Sequence, residues 1–335
     1  MAAPRFLHLS GTAAERGAAY WQAAGESIAA LQAHKRAEDP DPAAMAAPFR
    51  AAMARHAPVC LAEMDALAAA AGCAPDTMLY LACEYEAWME KSRGGEKCTG
   101  FIAANAGTPD PGLLMGQTND EDPAAWLGGG LDLVVHRSGG ADPDSLIYTH
   151  PGVPAYMGIN AAGLVVQWQY IDTGERNLEA GLPTTVLIFE MLRRETLADA
   201  VAWLRETPRA CPNNYQLGRP SEGAVNIECT PSHFSLQPVE AGCACHANHI
   251  TGDLALQAAD VGVTRTQSTS LKRLAAIEAT MAPIAQSVSV DQALQALSHP
   301  PVNYERTLAA MLFQPKALEM RIQFAGQTEF TRHRL

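Results

Sequence analysis

Long apolar runs are missing from this 335-residue chain. No stretch of about eighteen apolar residues occurs, which argues against a transmembrane helix. Basic residues are the minority charge, 24 Lys and Arg against 36 Asp and Glu, and they are scattered, leaving a formal net charge of −12. That sign, with no basic cluster, argues against nucleic acid or an anionic membrane as the main partner. The first residues, Met1 to Ser10, hold one arginine and no long apolar stretch, so no secretory signal is read there and a cytoplasmic protein is expected. The eight cysteines, at 60, 73, 83, 98, 211, 229, 243 and 245, are accordingly expected as reduced thiols. No internal repeat or low-complexity tract interrupts the chain. What it does hold is 48% apolar and 18% charged residues, enough for a sizeable core in one large domain or two ordinary ones.

Periodicity divides the chain. Ala13 to Lys35 is rich in Ala, Glu and Gln with no proline, and Ser10 or Thr12 can cap it; this predicts a helix. Leu61 to Ala71 and a segment from Asp76 through Trp88 continue the helical pattern, and Arg93-Gly94-Gly95 breaks it. Beyond that break the spacing turns strand-like at Leu113–Gln117, Leu131–His136, Ser145–Thr149, Tyr156–Ile159 and Leu164–Ile171. Asn160-Ala161-Ala162-Gly163 forms a hairpin turn between the last two. One long helix is predicted over Val186–Leu204, then strands at Ala224–Cys229 and His233–Gln237. Helices at Ser268–Met281 and Val290–Leu297 follow, and a final strand pair, Thr307–Phe313 and Leu318–Phe324, is hinged at Gln314-Pro315. Strands, then helices, then strands point to antiparallel sheets covered by helices and not to a βαβ array.

Cys98 sits on the boundary between the helical and strand-like parts, in Glu96-Lys97-Cys98-Thr99-Gly100-Phe101. A thiol there suits a nucleophile that becomes a new N-terminus when the Lys97–Cys98 bond is cut. A free thiol, with a pKa near ~8.5, is mostly protonated at neutral pH and needs a base. A liberated α-amino group, at roughly 7.7–8.0, supplies one on the same residue. In the precursor that nitrogen is an amide. The first reaction would therefore be the attack of Cys98 on the Lys97 carbonyl, an N-to-S shift and hydrolysis of the thioester.

The motifs in order along the chain resemble the acyl-coenzyme A:6-aminopenicillanic acid acyltransferase family. These are cysteine N-terminal-nucleophile hydrolases of the peptidase C45 type, distantly related to penicillin V acylases and bile salt hydrolases. Leu9-Ser10-Gly11 with Glu15-Arg16-Gly17 is similar to the family's opening signature, and Glu63 to Gly72 to its Ala- and Gly-rich helix. Cys98-Thr99 is similar to the nucleophile motif, and Gly116-Gln117-Thr118-Asn119-Asp120 to a Gly-Gln/Arg-x-x-Asp strand end. Gly158-Ile159-Asn160-Ala161-Ala162-Gly163 is similar to a Gly-x-Asn-x-x-Gly hairpin, and His246-Ala247-Asn248-His249 to a His-x-Asn-His segment. Two positions depart. Lys97 stands where the family usually has glycine, and Ala82-Cys83-Glu84-Tyr85-Glu86 lacks an arginine of the family's helix.

The resemblance implies an α+β fold, the four-layer αββα sandwich, over a single domain spanning 1–335. Residues 1–97 would be a helical pro-segment that stays packed as a heterodimer partner of 98–335. It implies an amide hydrolase or acyltransferase acting on a small acyl amide or acyl thioester through a Cys98 thioester. No cofactor is needed, coenzyme A thioesters serve as acyl donors in the transferase version, and a homo-oligomer stays open. Asp120 would hold the α-amino group, Asn248 would donate to the developing oxyanion, and Arg306, with Arg321 as rival, would lie near the nucleophile. Asn160 would either assist the oxyanion or form the turn. Thr99, Trp126, Tyr156 and Trp168, with Tyr170, are candidates for substrate contacts or for core packing. The alternatives are an uncleaved, inactive homologue that binds an acylated metabolite, and a cysteine amidase with His246 or His249 as base. Cys243-x-Cys245-His246-x-x-His249 is dense in metal-type donors. A strand would put the two thiols on one face and His246 on the other, and no distant second pair exists, so no metal site is expected.

Overall fold

A computed structural model describes residues 5–38, 41–91, 97–104, 112–127, 130–261 and 269–335. Arg93-Gly94-Gly95 and Ser268 lie outside those residues.

The N-terminal part opens with strand β1 (Phe6–Ser10), then α1 (Ala13–Glu38), α2 (Pro42–His56), α3 (Pro58–Ala71) and α4 (Pro75–Lys91). Their ends follow local chemistry. The Asp41 side chain caps α2 by accepting from the Ala44 N–H at 3.1 Å, and Gly72, in the left-handed region at φ 66°, closes α3. Then come β2 (Lys97–Ala104), β3 (Leu113–Asp120), β4 (Leu133–Ser138), β5 (Ser145–Thr149), β6 (Met157–Asn160) and β7 (Val165–Tyr170). Helices α5 (Thr184–Leu192) and α6 (Leu197–Glu206) precede β8 (Asn213–Arg219), β9 (Gly223–Cys229), β10 (Phe234–Val239) and β11 (Gly242–His246). The chain ends with α7 (Leu254–Ala259), α8 (Ser270–Met281), α9 (Val290–Ala296), β12 (Thr307–Gln314), β13 (Glu319–Phe324) and β14 (Thr331–Arg334).

Two sheets result. One has eight strands in the order β1-β4-β5-β6-β7-β8-β9-β10, and the other six in the order β11-β2-β3-β12-β13-β14. All neighbours are antiparallel except β1 and β4, which run parallel. The larger core joins α1–α6 to the eight-stranded sheet and to the inward residues of the other, among them Ile102, Met115, Met311 and Phe313. A second core packs Leu274, Ile277 and Met281 of α8, with Leu297, against Phe101, Ala103, Leu114 and Leu312. The layers are therefore helix, sheet, sheet, helix, the αββα arrangement expected from the sequence.

The predicted single helix over Val186–Leu204 is two helices. Thr196 takes extended backbone at ψ 151° and its hydroxyl accepts from the Asp199 N–H, so it starts α6 instead of continuing α5. The β6–β7 hairpin is as read, with Gly163 at φ 79°. Strands β1, β8 and β14 had no reading in the sequence.

Strand alternation sets the site. Along β2, Gly100 and Ile102 face the other sheet, while Phe101 and Ala103 face α8. Cys98 falls on the inter-sheet parity and Thr99 on the helix parity. In register, Cys98 pairs with Asn119, Thr99 with Thr118 and Lys97 with Asp120. Gly100 lies under a ladder of buried amides: a Cβ there would collide with the Gln169 and Gln216 side chains.

Candidate active site

Cys98 is buried, 1% exposed, at the start of β2. Its backbone N–H donates to Asn248 Oδ1 at 2.7 Å, and its Sγ lies 3.8 Å from Asn119 Oδ1. Asn248 follows β11 directly. It is held by its own N–H on Ser270 Oγ at 2.7 Å and by Nδ2, which donates to the Tyr170 carbonyl at 3.0 Å. A carboxamide nitrogen has two hydrogens, so that bond uses one of them.

On the opposite face of the strand a guanidinium occupies the centre. Arg273, from α8 and 1% exposed, donates through Nη1 to the Cys98 carbonyl at 2.5 Å and to Thr99 Oγ1 at 2.6 Å. Its Nη2 donates to Asn248 Oδ1 at 2.6 Å. Nη1 also lies 3.8 Å from Asp120 Oδ2. Asp120, fully buried at the end of β3, accepts from Thr307 Oγ1 at 2.7 Å and Thr118 Oγ1 at 3.2 Å. Strand register brings the threonines there, since Thr307 pairs with Asp120 across β3 and β12. Tyr304 closes this side. Its backbone N–H donates to Thr307 Oγ1 at 3.1 Å, and its hydroxyl is buried with no partner among the described residues. Burial, then the Asp120 charge, pushes that phenol well above its ordinary range, so it stays a proton donor.

The structure thus brings Cys98, Thr99, Asp120 and Asn248 together. It places the other candidates elsewhere. Asn160 ends β6, where Nδ2 donates to the Leu192 and Arg194 carbonyls and Oδ1 accepts from Ala162 and Leu164 N–H. Tyr170, whose carbonyl meets Asn248, is at the other end of β7, and at ~3.3 Å per strand residue Asn160 lies on the order of 17 Å away. It forms the turn. The Arg306 side chain is exposed, and its carbonyl accepts from the Glu121 N–H at 3.0 Å. Arg321 pairs with Glu319 at 2.8 Å, several residues along the sheet from Asp120. The arginine at Cys98 is Arg273, which the sequence reading passed over. Its signal was legible: Ser270, Arg273, Leu274, Ile277 and Met281 form the buried face of α8, so a cation stands on an apolar stripe. Trp126, Tyr156 and Trp168 pack in a buried aromatic group with Tyr148 and His150. Glu121 accepts from Trp126 Nε1 at 3.1 Å and from Tyr156 Oη at 3.3 Å. The backbone of Lys97 begins β2, and two small crevices between α1, α3, α5 and the eight-stranded sheet, both beside Arg137 and Phe189, do not include Cys98.

The histidines beside the site are engaged. His246 meets the Ala247 carbonyl through Nδ1 at 2.7 Å and Glu228 through Nε2 at 3.0 Å. Burial alone would raise the Glu228 carboxyl, but His246 and the N–H groups of Thr251 and Gly252 hold it down to about 2. His249 Nδ1 lies 2.7 Å from Ser270 Oγ, and burial pushes its imidazole down to about 4, with the charge of His246 adding to the effect. Cys243 and Cys245 are half-buried on the edge strand β11. Among the described residues no group of three or more His, Cys, Asp or Glu side chains is arranged to hold a metal, and no helix is long and apolar enough to cross a membrane.

With this geometry in hand, comparison with known proteins gives a family. The family described as acyl-coenzyme A:6-aminopenicillanic acid acyl-transferase matches residues 144–329, more than half of the chain. The chain belongs to that family. No curated protein matches it. Among solved structures, an N-acylethanolamine-hydrolyzing acid amidase ortholog from Caenorhabditis elegans aligns with a TM-score of 0.50 at 16% identity. That alignment covers 65% of this chain and 93% of the other. Penicillin V acylase from Agrobacterium tumefaciens aligns at 0.48 and 13% identity, over 71% and 86%. A variant of the conjugated bile acid hydrolase from Clostridium perfringens aligns at 0.49 and 10%, over 71% and 92%. The fold is that of the N-terminal-nucleophile hydrolases, and the family is one of acyl amide hydrolases and acyltransferases.

Proposed function

We propose that this family member cuts its own Lys97–Cys98 bond and then cleaves or transfers an acyl group from a small amide or thioester through a thioester on Cys98. One observation carries the reading. The Cys98 nitrogen sits 2.7 Å from a carboxamide oxygen, within a buried cluster that also holds Arg273 and Asp120. The Asn248 oxygen and the Asp120 carboxylate are the acceptors there that suit a charged amine, and Arg273 holds both of them in place. Once freed, that amine donates to Asn248 Oδ1 and gains Asp120, whose register partner Lys97 has left the strand end. The same departure opens the end of β2 beside a sulfur that the intact chain buries.

Chemistry then follows from the donors. The α-amine takes the thiol proton as sulfur attacks the acyl carbon, the second N–H of Asn248 Nδ2 and the unpartnered Tyr304 hydroxyl receive the oxyanion, and the amine or thiol leaving group departs with the proton. Water, or an acceptor amine in the transferase version, releases the acyl group. Arg273 keeps the Cys98 carbonyl and Asn248 Oδ1 in place during both steps. Residues 1–97 stay associated as a heterodimer: Lys35 of α1, 1% exposed, lies over the Trp126 ring at 4.0 Å, and β1 pairs with β4, so the N-terminal segment is built into the core.

Intact-mass measurement of purified protein tests this. The expected result is two polypeptides with the second starting at Cys98, and a single uncut, inactive chain for Cys98→Ala. A Cys98→Ala chain that still splits at the same bond sinks the proposal. A second reading, an uncleaved amidase with His249 as base, is favoured by the neutral imidazole that His249 keeps at pH 7, adjacent to Asn248. It is selected if the whole chain turns over amides and His249→Gln abolishes this.

A further inference from the structure

Behind the sulfur, on the inter-sheet face, a buried polar chain leads away from the site and takes no part in the steps above. Cys98 Sγ meets Asn119 Oδ1 at 3.8 Å, Asn119 Nδ2 donates to Tyr148 Oη at 3.0 Å, Tyr148 donates to Asp132 Oδ2 at 2.7 Å, and His150 Nδ1 meets Asp132 Oδ1 at 2.7 Å. All five residues are buried, none more than 1% exposed. The chain crosses from β3 of one sheet to β5 of the other. His150 is stacked on Trp126 at 3.8 Å, and its Nε2 has no partner among the described residues. Polar groups so far from water are costly unless they are hydrogen-bonded, and this chain of bonds satisfies most of them.

We propose that Tyr148 is a positioning residue for the Cys98 thiol: with Asp132 and His150 behind it, it locks the Asn119 carboxamide with its oxygen toward the sulfur. This rests on the reading of Cys98 as nucleophile.

The direction of every bond is forced from the far end. A carboxylate only accepts, so His150 Nδ1–H and Tyr148 O–H both donate to Asp132. Burial first, then the Asp132 charge, holds the Tyr148 hydroxyl well above its usual range, so the proton stays on it. Having spent its one proton, Tyr148 can only accept from Asn119, which requires Nδ2 on that side. The carboxamide oxygen is then left facing the sulfur, as an acceptor for the S–H. That bond holds the thiol proton in one direction and favours the neutral thiol until a base removes the proton. With the carboxamide reversed, the sulfur would meet a donor and the thiolate would be favoured instead.

The test is the pH profile of Cys98 alkylation by iodoacetamide in the full protein, read from the mass of the Cys98 peptide around the ordinary thiol value of ~8.5. Tyr148→Phe keeps the ring and removes the oxygen. Asn119 then turns Nδ2 to the sulfur, and the alkylation midpoint falls by about one pH unit. A midpoint that stays or rises overturns the proposal. Should Tyr148→Phe fail to fold, Asn119→Asp serves: a carboxylate oxygen facing the sulfur raises the midpoint by about one unit, and an unmoved midpoint overturns the proposal equally. Asp120 and Arg273 lie on the other face of the strands, and Glu121, a further charge near Tyr148, is present in both variants. A purely structural role for Tyr148 would lower stability without moving the midpoint. Failure of the parent reading is distinct: it shows as self-cleavage that persists in Cys98→Ala, whatever the midpoint does.

Discussion

Replacing Arg273 by methionine isolates the electrostatic centre of the site. Arg273 makes four hydrogen bonds, to the Cys98 carbonyl, Thr99, Asn248 and Thr269, and its guanidinium lies 3.8 Å from Asp120. Methionine fills much of the same volume, so the cavity term is small and the change is chiefly one of charge. Breaking one side of a buried ion pair costs about 3–5 kcal/mol, because the remaining charge has no water to turn to. Asp120 keeps its two threonine donors and Asn248 Oδ1 keeps the Cys98 N–H, which places the expected loss at the lower end, about 3 kcal/mol. Urea unfolding followed by circular dichroism measures it. Asp120→Asn removes the stranded charge, so the double variant Arg273→Met with Asp120→Asn should lose less than the sum of the singles, by about 1–3 kcal/mol. A single-variant loss below about 1 kcal/mol, or costs that add within about 0.5 kcal/mol, would refute the coupling on which this description of the site depends.

Other expectations are more local. Gly100→Ala forces a methyl into Gln169 and Gln216 and should cost about 1–3 kcal/mol in thermal or urea unfolding. Tyr304→Phe should leave unfolding unchanged or slightly improved, because the hydroxyl it deletes has no partner, while lowering the rate of acyl transfer on Cys98 by about tenfold or more. The Glu228 carboxyl, held down to about 2 in the folded chain, gives stability that is complete above pH 4.5 and lost as pH falls toward 2; Glu228→Gln should remove that acid-side slope. His249 acts higher on the scale. With its folded value near 4 against an ordinary 6.5, the unfolded chain takes up the proton first, so stability declines as pH falls from 6.5 to 4, and His249→Gln should flatten that interval.

What could be read from the sequence was what strand alternation and turn chemistry make local. The change of period at Cys98, the Gly116–Asp120 strand end and the Asn160–Gly163 hairpin each depend on a few adjacent residues, and each lies where it was expected. The order of helical and strand-like segments pointed to antiparallel sheets covered by helices, and the four-layer αββα form came from the family resemblance. Strand β8 escaped because Asn213-Asn214-Tyr215-Gln216 has no apolar alternation. Its amides are buried, and several are satisfied by partners on β7 and β9 that no local pattern announces. Strand β1 pairs in parallel with β4, more than a hundred residues away, so nothing near it marks it as a strand. Arg273 and Tyr304 reach Cys98 from elements 175 and 206 positions later in the chain, and only the packing of α8 and β12 on β2 and β3 makes them neighbours. Asn160 was open between two roles, and the hairpin backbone decides between them, because it claims both ends of the side chain.

The most direct measurement is to map the acyl group itself. Purified protein mixed briefly with a reactive acyl thioester, quenched in acid and digested, should carry the acyl mass on the peptide whose N-terminal residue is Cys98, with none on the other seven cysteines. Acyl label on an internal Cys98 of an uncut chain, or on any other side chain, would contradict the account.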